Sequence, residues 1–211
     1  MKVDLEPAFR RTDYVAAPLL DPPEVLPLPA LTEDMEQAKK DLSEYGLCFL
    51  ANALNPDELS RVQDALDAQA AAERALGKFA PAGALGAQQA ISNMVNKGQV
   101  FTDLVLRDEV DELAGFLVGK NFLISSLTGG VFHGPTKDAQ VLHRDQGQVP
   151  PTAGFTAKCN AFWLLDDFSP EAGSTWVVPG SHRWLPQYQF SAPPRDIAQQ
   201  ITAPAGTLFF F

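Results

Sequence analysis

The sequence predicts an α+β fold in which N-terminal helices precede a set of antiparallel strands. Apolar residues recur at helical spacing in several segments between residues 32 and 118. From Asn121 onward, short apolar runs are separated by Gly, Pro and Asp, which is typical of strands and turns. Helices packed on many short antiparallel strands predict a double-stranded β-helix, or jelly roll.

The first segment, residues 1–31, contains six prolines. Proline fixes φ and lacks a backbone N–H, so this segment is predicted to be an extended arm. Residues 32–211 are predicted to form a single jelly-roll domain.

The helices are predicted in order over residues 32–46, 55–77, 101–106 and 108–118. Thr32 is the expected N-cap of the first helix, and Gly46 is its expected stop. Asn55 followed by Pro56 and two acidic residues is a strong start for the second helix.

The strands are predicted over residues 46–51, 121–134, 139–145, 157–166, 173–179 and 206–211. Residues 77–98 are rich in Ala, Gly and Gln with little periodicity, which predicts a long loop. Because long loops often cover a site, Asn93, Met94 and Asn96 are candidate substrate-binding residues.

Composition excludes several classes of partner. The formal net charge is −10, which disfavours nucleic acid and anionic membranes. The first residues carry no apolar signal-peptide segment, and no run approaches the roughly 20 apolar residues of a membrane span. A cytoplasmic protein is therefore expected. Cys48 and Cys159 are too few for a disulfide framework, and Cys48 is expected to be a buried apolar residue.

His143 and Asp145 form a His-x-Asp motif, the most informative feature of the chain. On a β-strand, residues i and i+2 point to the same face. The pair would then supply two ligands of a 2-His-1-carboxylate facial triad, which holds non-heme Fe(II). The motif alone is weak, since many such pairs are a structural histidine beside a solvated aspartate. The chain has two further histidines, His133 and His182.

A second motif follows the first at a characteristic distance. A strand ending in Asp166 and Asp167, an acidic turn with Gly173, and a further strand lead to the sequence Pro-Gly-Ser-His at 179–182. In this order and spacing, the two motifs resemble the phytanoyl-CoA dioxygenase family of Fe(II)/2-oxoglutarate oxygenases. The resemblance spans roughly residues 35–211.

The resemblance implies roles for several residues. His143 and Asp145 would bind Fe(II), while Gln146 and Thr175 would help to hold 2-oxoglutarate and Trp163 would pack beside it. Alternatively, Gln146 is a turn residue, Thr175 is a strand residue and Trp163 is part of the core. Neither His182 nor His133 is expected to bind iron. The retained carboxylate implies that molecular oxygen is used for hydroxylation or a related oxidation of a small molecule, and not for halogenation.

The resemblance also implies a histidine ligand and a 2-oxoglutarate-binding arginine beyond residue 211. We therefore expect the chain to lack its C-terminal strands, to be nearly inactive by itself, and to leave the apolar faces around Leu208–Phe211 uncovered. A non-catalytic jelly-roll binding protein of the same ancestry is an alternative function. A metal-dependent isomerase or cupin-like enzyme is a third, although such proteins commonly gather several histidines in one motif. The sequence does not identify the substrate or the type of oxidation.

Overall fold

The computed structural model describes residues 13–14, 17–20, 24–79, 87–134, 141–147, 149, 155–184 and 197–211. Its α-helices are α1 (Met35–Tyr45), α2 (Pro56–Ala75), α3 (Gln99–Val105) and α4 (Asp108–Val118). Its strands are β1 (Cys48–Leu50), β2 (Gln88–Ile91), β3 (Gly129–Phe132), β4 (Ala161–Trp163), β5 (Trp176–Val177), β6 (Gln199–Gln200) and β7 (Leu208–Phe210). Short 3₁₀ turns occupy Met94–Asn96 and Ser181–Arg183. The predicted α+β class is confirmed.

The chain divides into two compact units. The first comprises Met1–Ala53, Asp108–Phe122 and Leu142–Phe211, and the second comprises Leu54–Arg107 and Leu123–Val141. Among the described residues, no helix combines the length and the apolar character that crossing a membrane requires.

The first unit is built on a three-stranded antiparallel sheet in which β7 lies between β1 and β4. Phe209 is paired with Phe49 on one side and with Phe162 on the other. Leu208, Phe209 and Phe210 are at most 1% exposed. The expectation that these residues would be uncovered is therefore wrong, because β7 is the central strand and both of its faces are covered.

Alternate side chains of β7 point to opposite faces of this sheet and belong to two different apolar clusters. Leu208 and Phe210 pack with residues of α1 and α4, and Trp163 of β4 joins them. Phe209 packs on the other face with Phe49 and Leu164. Burying each phenylalanine side chain contributes about 1.5–3 kcal/mol, so β7 is a large part of the stability of this unit.

Local capping chemistry sets the helix ends. Asp34 is the N-cap of α1 and its carboxylate accepts from the Glu36 N–H at 2.8 Å, whereas Thr32 accepts from the Asp34 N–H. The cap thus lies two residues after the predicted Thr32, because the Asp34 carboxylate reaches the free N–H groups of the first turn. Asn55 is the N-cap of α2, as predicted, and it also forms a complete capping box with Glu58.

The second unit contains α2, α3 and the antiparallel pair of β2 with β3. Gly129 on β3 allows a close approach, since a Cβ there would lie 2.6 Å from Met94 Sδ and 2.7 Å from Leu66 Cδ1. Strand β2 falls within the predicted loop 77–98, so that prediction is wrong over Gln88–Ile91. Glutamine and alanine are weak strand formers, and here pairing with β3 determines the structure. Residues 80–86 of the same predicted loop lie outside the described residues.

The other predicted strands are shorter than the sequence suggested. Of residues 139–145, the part from 141 to 145 forms no strand, and 139–140 lie outside the described residues. The sequence Asp145-Gln146-Gly147 turns the chain instead, consistent with the turn preference of Asp and Gly. Strand β6 was missed because two glutamines give no apolar alternation.

Candidate metal centre

His143 and Asp145 converge although they do not lie on a strand. His143 Nε2 lies 3.1 Å from Asp145 Oδ1, and the two side chains are 59% and 34% exposed. An irregular stretch ending in a turn at Asp145 brings the imidazole and the carboxylate together. The convergence predicted from strand alternation is present, but a turn produces it.

The separation of these atoms suits two neighbouring positions on one metal ion. Bonds of about 2.1 Å at right angles place two donor atoms about 3 Å apart. One neutral imidazole nitrogen and one carboxylate oxygen are also the donor types that a facial triad uses. Among the residues that the structure describes, no group of three or more His, Cys, Asp or Glu side chains could hold a metal. The roles of His143 and Asp145 as metal ligands stay predictions.

Asn160 is a contact of the pair that sequence reasoning did not identify. Its Nδ2 donates to Asp145 Oδ2 at 2.6 Å. The Asn160 backbone exchanges two hydrogen bonds with Phe211, at 2.7 and 3.0 Å, and so continues the pairing of β4 with β7 by one residue. The only available signal was its place within the predicted strand 157–166, which does not reveal a partner 15 residues away.

Gln146 is engaged with the backbone that precedes β4. Its Oε1 accepts from the Ala157 N–H at 2.7 Å and the Lys158 N–H at 3.3 Å, and its Nε2 donates to Phe155 O at 3.3 Å. The side chain thus ties the turn at Asp145 to residues 155–158. A role in holding 2-oxoglutarate stays a prediction.

Trp163 and Thr175 lie on elements other than the turn that carries Asp145. Trp163 packs on the helix-facing side of the sheet, and strand alternation places Asn160 on the opposite side, with Phe162. Thr175 precedes β5, which pairs with β6, and its carbonyl accepts from the Ile201 N–H at 3.0 Å. Both co-substrate roles stay predictions.

The three candidate substrate-binding residues belong to the second unit. Asn93 and Asn96 are exposed, and Asn93 has a left-handed backbone with φ of 56°. Met94 is 4% exposed and packs beside Gly129, so it contributes to the core of that unit. Their contact with a substrate stays a prediction.

His182 and His133 have protein partners elsewhere. His182 Nε2 donates to Ser43 O at 3.1 Å, near the end of α1. His133 Nε2 lies 2.9 Å from Gln89 Oε1 and 3.2 Å from Arg74 Nη1, within the second unit. Each ring is therefore fixed by a contact that does not involve His143 or Asp145.

Burial changes the acidity of both thiols and of His182. It raises the pKa of Cys48 and raises the pKa of Cys159 to about 11, so both thiols stay protonated near neutral pH. Packing of the His182 ring against the chain lowers its pKa from about 6.5, more than the Ser43 carbonyl raises it. The residue also keeps an exposed edge, which limits this shift.

The family model described as phytanoyl-CoA dioxygenase (PhyH) matches residues 42–211. The chain belongs to the phytanoyl-CoA dioxygenase family. The resemblance carried by the two sequence motifs is thus confirmed, and both motifs lie inside the matched region.

Curated relatives that match this chain are named as dioxygenases. Dioxygenase af480 of Aspergillus fumigatus is 25% identical over 97% of this chain and 66% of its own length. Dioxygenase sphC of Aspergillus fumigatus is 25% identical over 75% of this chain and 48% of its own length. Dioxygenase trt7 of Aspergillus terreus is 26% identical over 85% of this chain and 65% of its own length. The chain thus spans about half to two thirds of these relatives.

A solved structure shares the fold. It is the crystal structure of the epimerase SnoN in complex with Fe3+, alpha ketoglutarate and nogalamycin RO. The match has a TM-score of 0.59 and covers 83% of this chain and 73% of that chain, at 20% sequence identity. At this identity the likeness shows the fold alone.

Proposed function

We propose that the whole protein is an Fe(II)- and 2-oxoglutarate-dependent dioxygenase that hydroxylates or otherwise oxidises a small molecule. The observation that carries the proposal is the placement of His143 Nε2 and Asp145 Oδ1 3.1 Å apart within the family-matched region. The relatives named as dioxygenases and the iron and alpha ketoglutarate bound to the structural neighbour support it.

His143 and Asp145 would hold the iron in this proposal. The imidazole would bind in its neutral form, and the carboxylate would reduce the net positive charge of the centre. Gln146, Thr175 and Trp163 are proposed neighbours of 2-oxoglutarate, and the small sheets are proposed parts of a jelly roll. When bound, iron and 2-oxoglutarate supply the activation of molecular oxygen.

The proposed substrate is an uncharged small molecule. A net charge of −10 disfavours polyanionic partners such as nucleic acid. The structural neighbour is named with a small molecule, nogalamycin RO, which supports this class of substrate without identifying it. Asn93, Met94 and Asn96 remain the proposed substrate-binding residues, and a cytoplasmic location remains a prediction.

The test is 2-oxoglutarate turnover by the whole protein, loaded with Fe(II) in the presence of oxygen. We expect formation of succinate and carbon dioxide with matching oxygen consumption. Asp145→Ala removes a direct ligand and is expected to lower this turnover at least about 100-fold. Asp166→Ala is the matched control, because it removes an exposed carboxylate from the same unit.

Undiminished succinate formation by the Asp145→Ala variant would contradict the assignment of Asp145. Absence of turnover in the iron-loaded wild-type protein, together with no 2-oxoglutarate binding, would instead favour the non-catalytic binding protein.

A further inference from the structure

We propose that Asn160 is a positioning residue that holds Asp145 by one oxygen, so that this carboxylate offers a single oxygen to the metal. The inference rests on the proposed function, because it concerns the same centre. It adds a residue outside the two motifs and specifies how the carboxylate binds.

The two oxygens of Asp145 have separate partners. Asn160 Nδ2 donates to Oδ2 at 2.6 Å, while Oδ1 lies 3.1 Å from His143 Nε2. A hydrogen bond to an ionised carboxylate is stronger than one between neutral groups, and 2.6 Å is short for it. Oδ2 is thus held by Asn160, and Oδ1 lies on the side of His143.

Asn160 is well suited to this role because its own backbone is fixed. Two hydrogen bonds with Phe211 hold it as an extension of β4 against β7. Strand β7 is the central strand of its sheet and is at most 1% exposed. Asp145, by contrast, lies in a turn, so a contact from the sheet restricts a side chain that the turn alone would leave freer to rotate.

Gln146 reinforces this contact from the neighbouring position. Its amide makes three hydrogen bonds to the backbone of residues 155–158, and these residues lead directly into Asn160. Gln146 therefore keeps the turn and the start of β4 together, which keeps Asn160 within reach of Asp145. In this arrangement Gln146 binds the backbone of residues 155–158, and Asn160 binds the carboxylate of Asp145.

The chemical consequence concerns the number of positions left open on the metal. A carboxylate that binds through both oxygens occupies two positions, whereas one that binds through Oδ1 occupies one. With Oδ2 held on Asn160, Asp145 would occupy one position of a bound metal and would leave room there for 2-oxoglutarate or oxygen. Hydrogen-bond partners of metal ligands commonly change metal affinity about 10–100-fold when removed.

The test compares Co(II) binding by the wild-type protein, Asn160→Ala and the control Lys158→Gln. Lys158 is exposed and two residues away, and its substitution keeps the backbone N–H that Gln146 uses. We expect Asn160→Ala to weaken Co(II) binding about 10–100-fold and to change the visible absorption spectrum of the bound Co(II). The control should match the wild type in both measurements.

A second measurement needs no metal. The side-chain amide of Asn160 in the metal-free wild-type protein should give an NMR signal that moves when Asp145 is changed to Asn, and that does not move in Asp166→Ala. An Asn160 signal that is insensitive to Asp145→Asn would overturn the inference, whether or not the centre binds metal.

The remaining outcomes separate the inference from the proposed function. If the wild type and Asn160→Ala bind Co(II) equally with the same spectrum, Asn160 is not a positioning residue. The same conclusion follows if Asn160→Ala loses affinity only in proportion to lost fold stability and keeps the wild-type spectrum. If the wild-type protein binds no Co(II), the proposed function fails, while the NMR result still decides whether Asn160 holds Asp145.

Discussion

Asp145 is the residue on which the candidate centre depends most, because each of its carboxylate oxygens has a different partner. His143 faces one oxygen and Asn160 binds the other. The His-x-Asp spacing could be recognised from the sequence, since it is local. The contact with Asn160 could not, because it depends on how residues 155–160 are aligned with a turn that sequence reasoning interpreted as a strand.

Gly46 gives a prediction at the same scale. Its φ of 77° is left-handed, and a Cβ there would lie 2.5 Å from His182 Nδ1. Gly46→Ala should therefore lower the free energy of unfolding by more than about 1 kcal/mol, through backbone strain and a steric clash. Urea denaturation measures the change.

A double-mutant comparison separates these two causes. In a His182→Ala background the clash is absent, so Gly46→Ala should cost less than it does in the wild type. An equal cost in both backgrounds would show that His182 does not pack on Gly46.

At the scale of elements, the segment at 180–183 caps the C-terminus of α1. The last four carbonyls of a helix lack partners within the helix. In α1, the Leu42 carbonyl accepts from the Gly46 N–H and the Tyr45 carbonyl accepts from the Gly180 N–H. The Ser43 carbonyl accepts from His182 Nε2, and the Glu44 carbonyl accepts from Arg183 Nη1. Two of these donors come from side chains of the Pro-Gly-Ser-His-Arg segment. This gives the His182 motif a structural role that its family resemblance alone did not explain.

This cap predicts a pH dependence of stability. Because the pKa of His182 is lowered in the folded state, the unfolded chain binds its proton more readily. The contribution of neutral His182 is present above about pH 6.5 and is lost as the pH falls from there toward the lowered folded-state pKa of this residue.

The difference in unfolding free energy between the wild type and His182→Gln isolates this effect from the carboxylates. It should shrink between pH 7.5 and pH 5, starting from about 1 kcal/mol. A difference that grows on acidification would contradict the lowered pKa.

Helices were more predictable than strands for a physical reason. The caps at Asn55 and Gly46 and the apolar spacing of α2 and α4 are local, so they are visible in sequence. Strands β2 and β6 are formed by pairing with distant segments, and their glutamines carry no local strand preference. Strand β7 lies within the predicted strand 206–211, although the burial of Leu208–Phe210 was not predicted.

At the scale of the whole molecule, β7 joins sequence-distant parts of the first unit. It pairs with β1 near residue 49 and with β4 near residue 162. Phe209 is fully buried and stacks on Phe49 at 5.2 Å. Phe209→Ala should therefore cost about 3–5 kcal/mol of unfolding free energy.

Phe162→Ala is the matched control for this prediction. Phe162 belongs to the same aromatic group but is 41% exposed, so its loss should cost clearly less. Denaturant titrations of both variants provide the comparison, and equal costs would show that burial of β7 does not dominate the stability of the sheet.

The measurement that tests the account most directly is an anaerobic Fe(II) titration of the whole protein by calorimetry, with the wild type, Asp145→Ala and Asp166→Ala in parallel. Asp145 is partly exposed and contacts His143 and Asn160, so a denaturation curve of the Asp145→Ala variant is recorded in parallel to show that this variant stays folded. We predict one Fe(II) per chain in the wild type and the Asp166→Ala control, and loss of most of this binding in a folded Asp145→Ala variant. Wild-type Fe(II) affinity in the Asp145→Ala variant would contradict the claim that His143 and Asp145 form the metal centre.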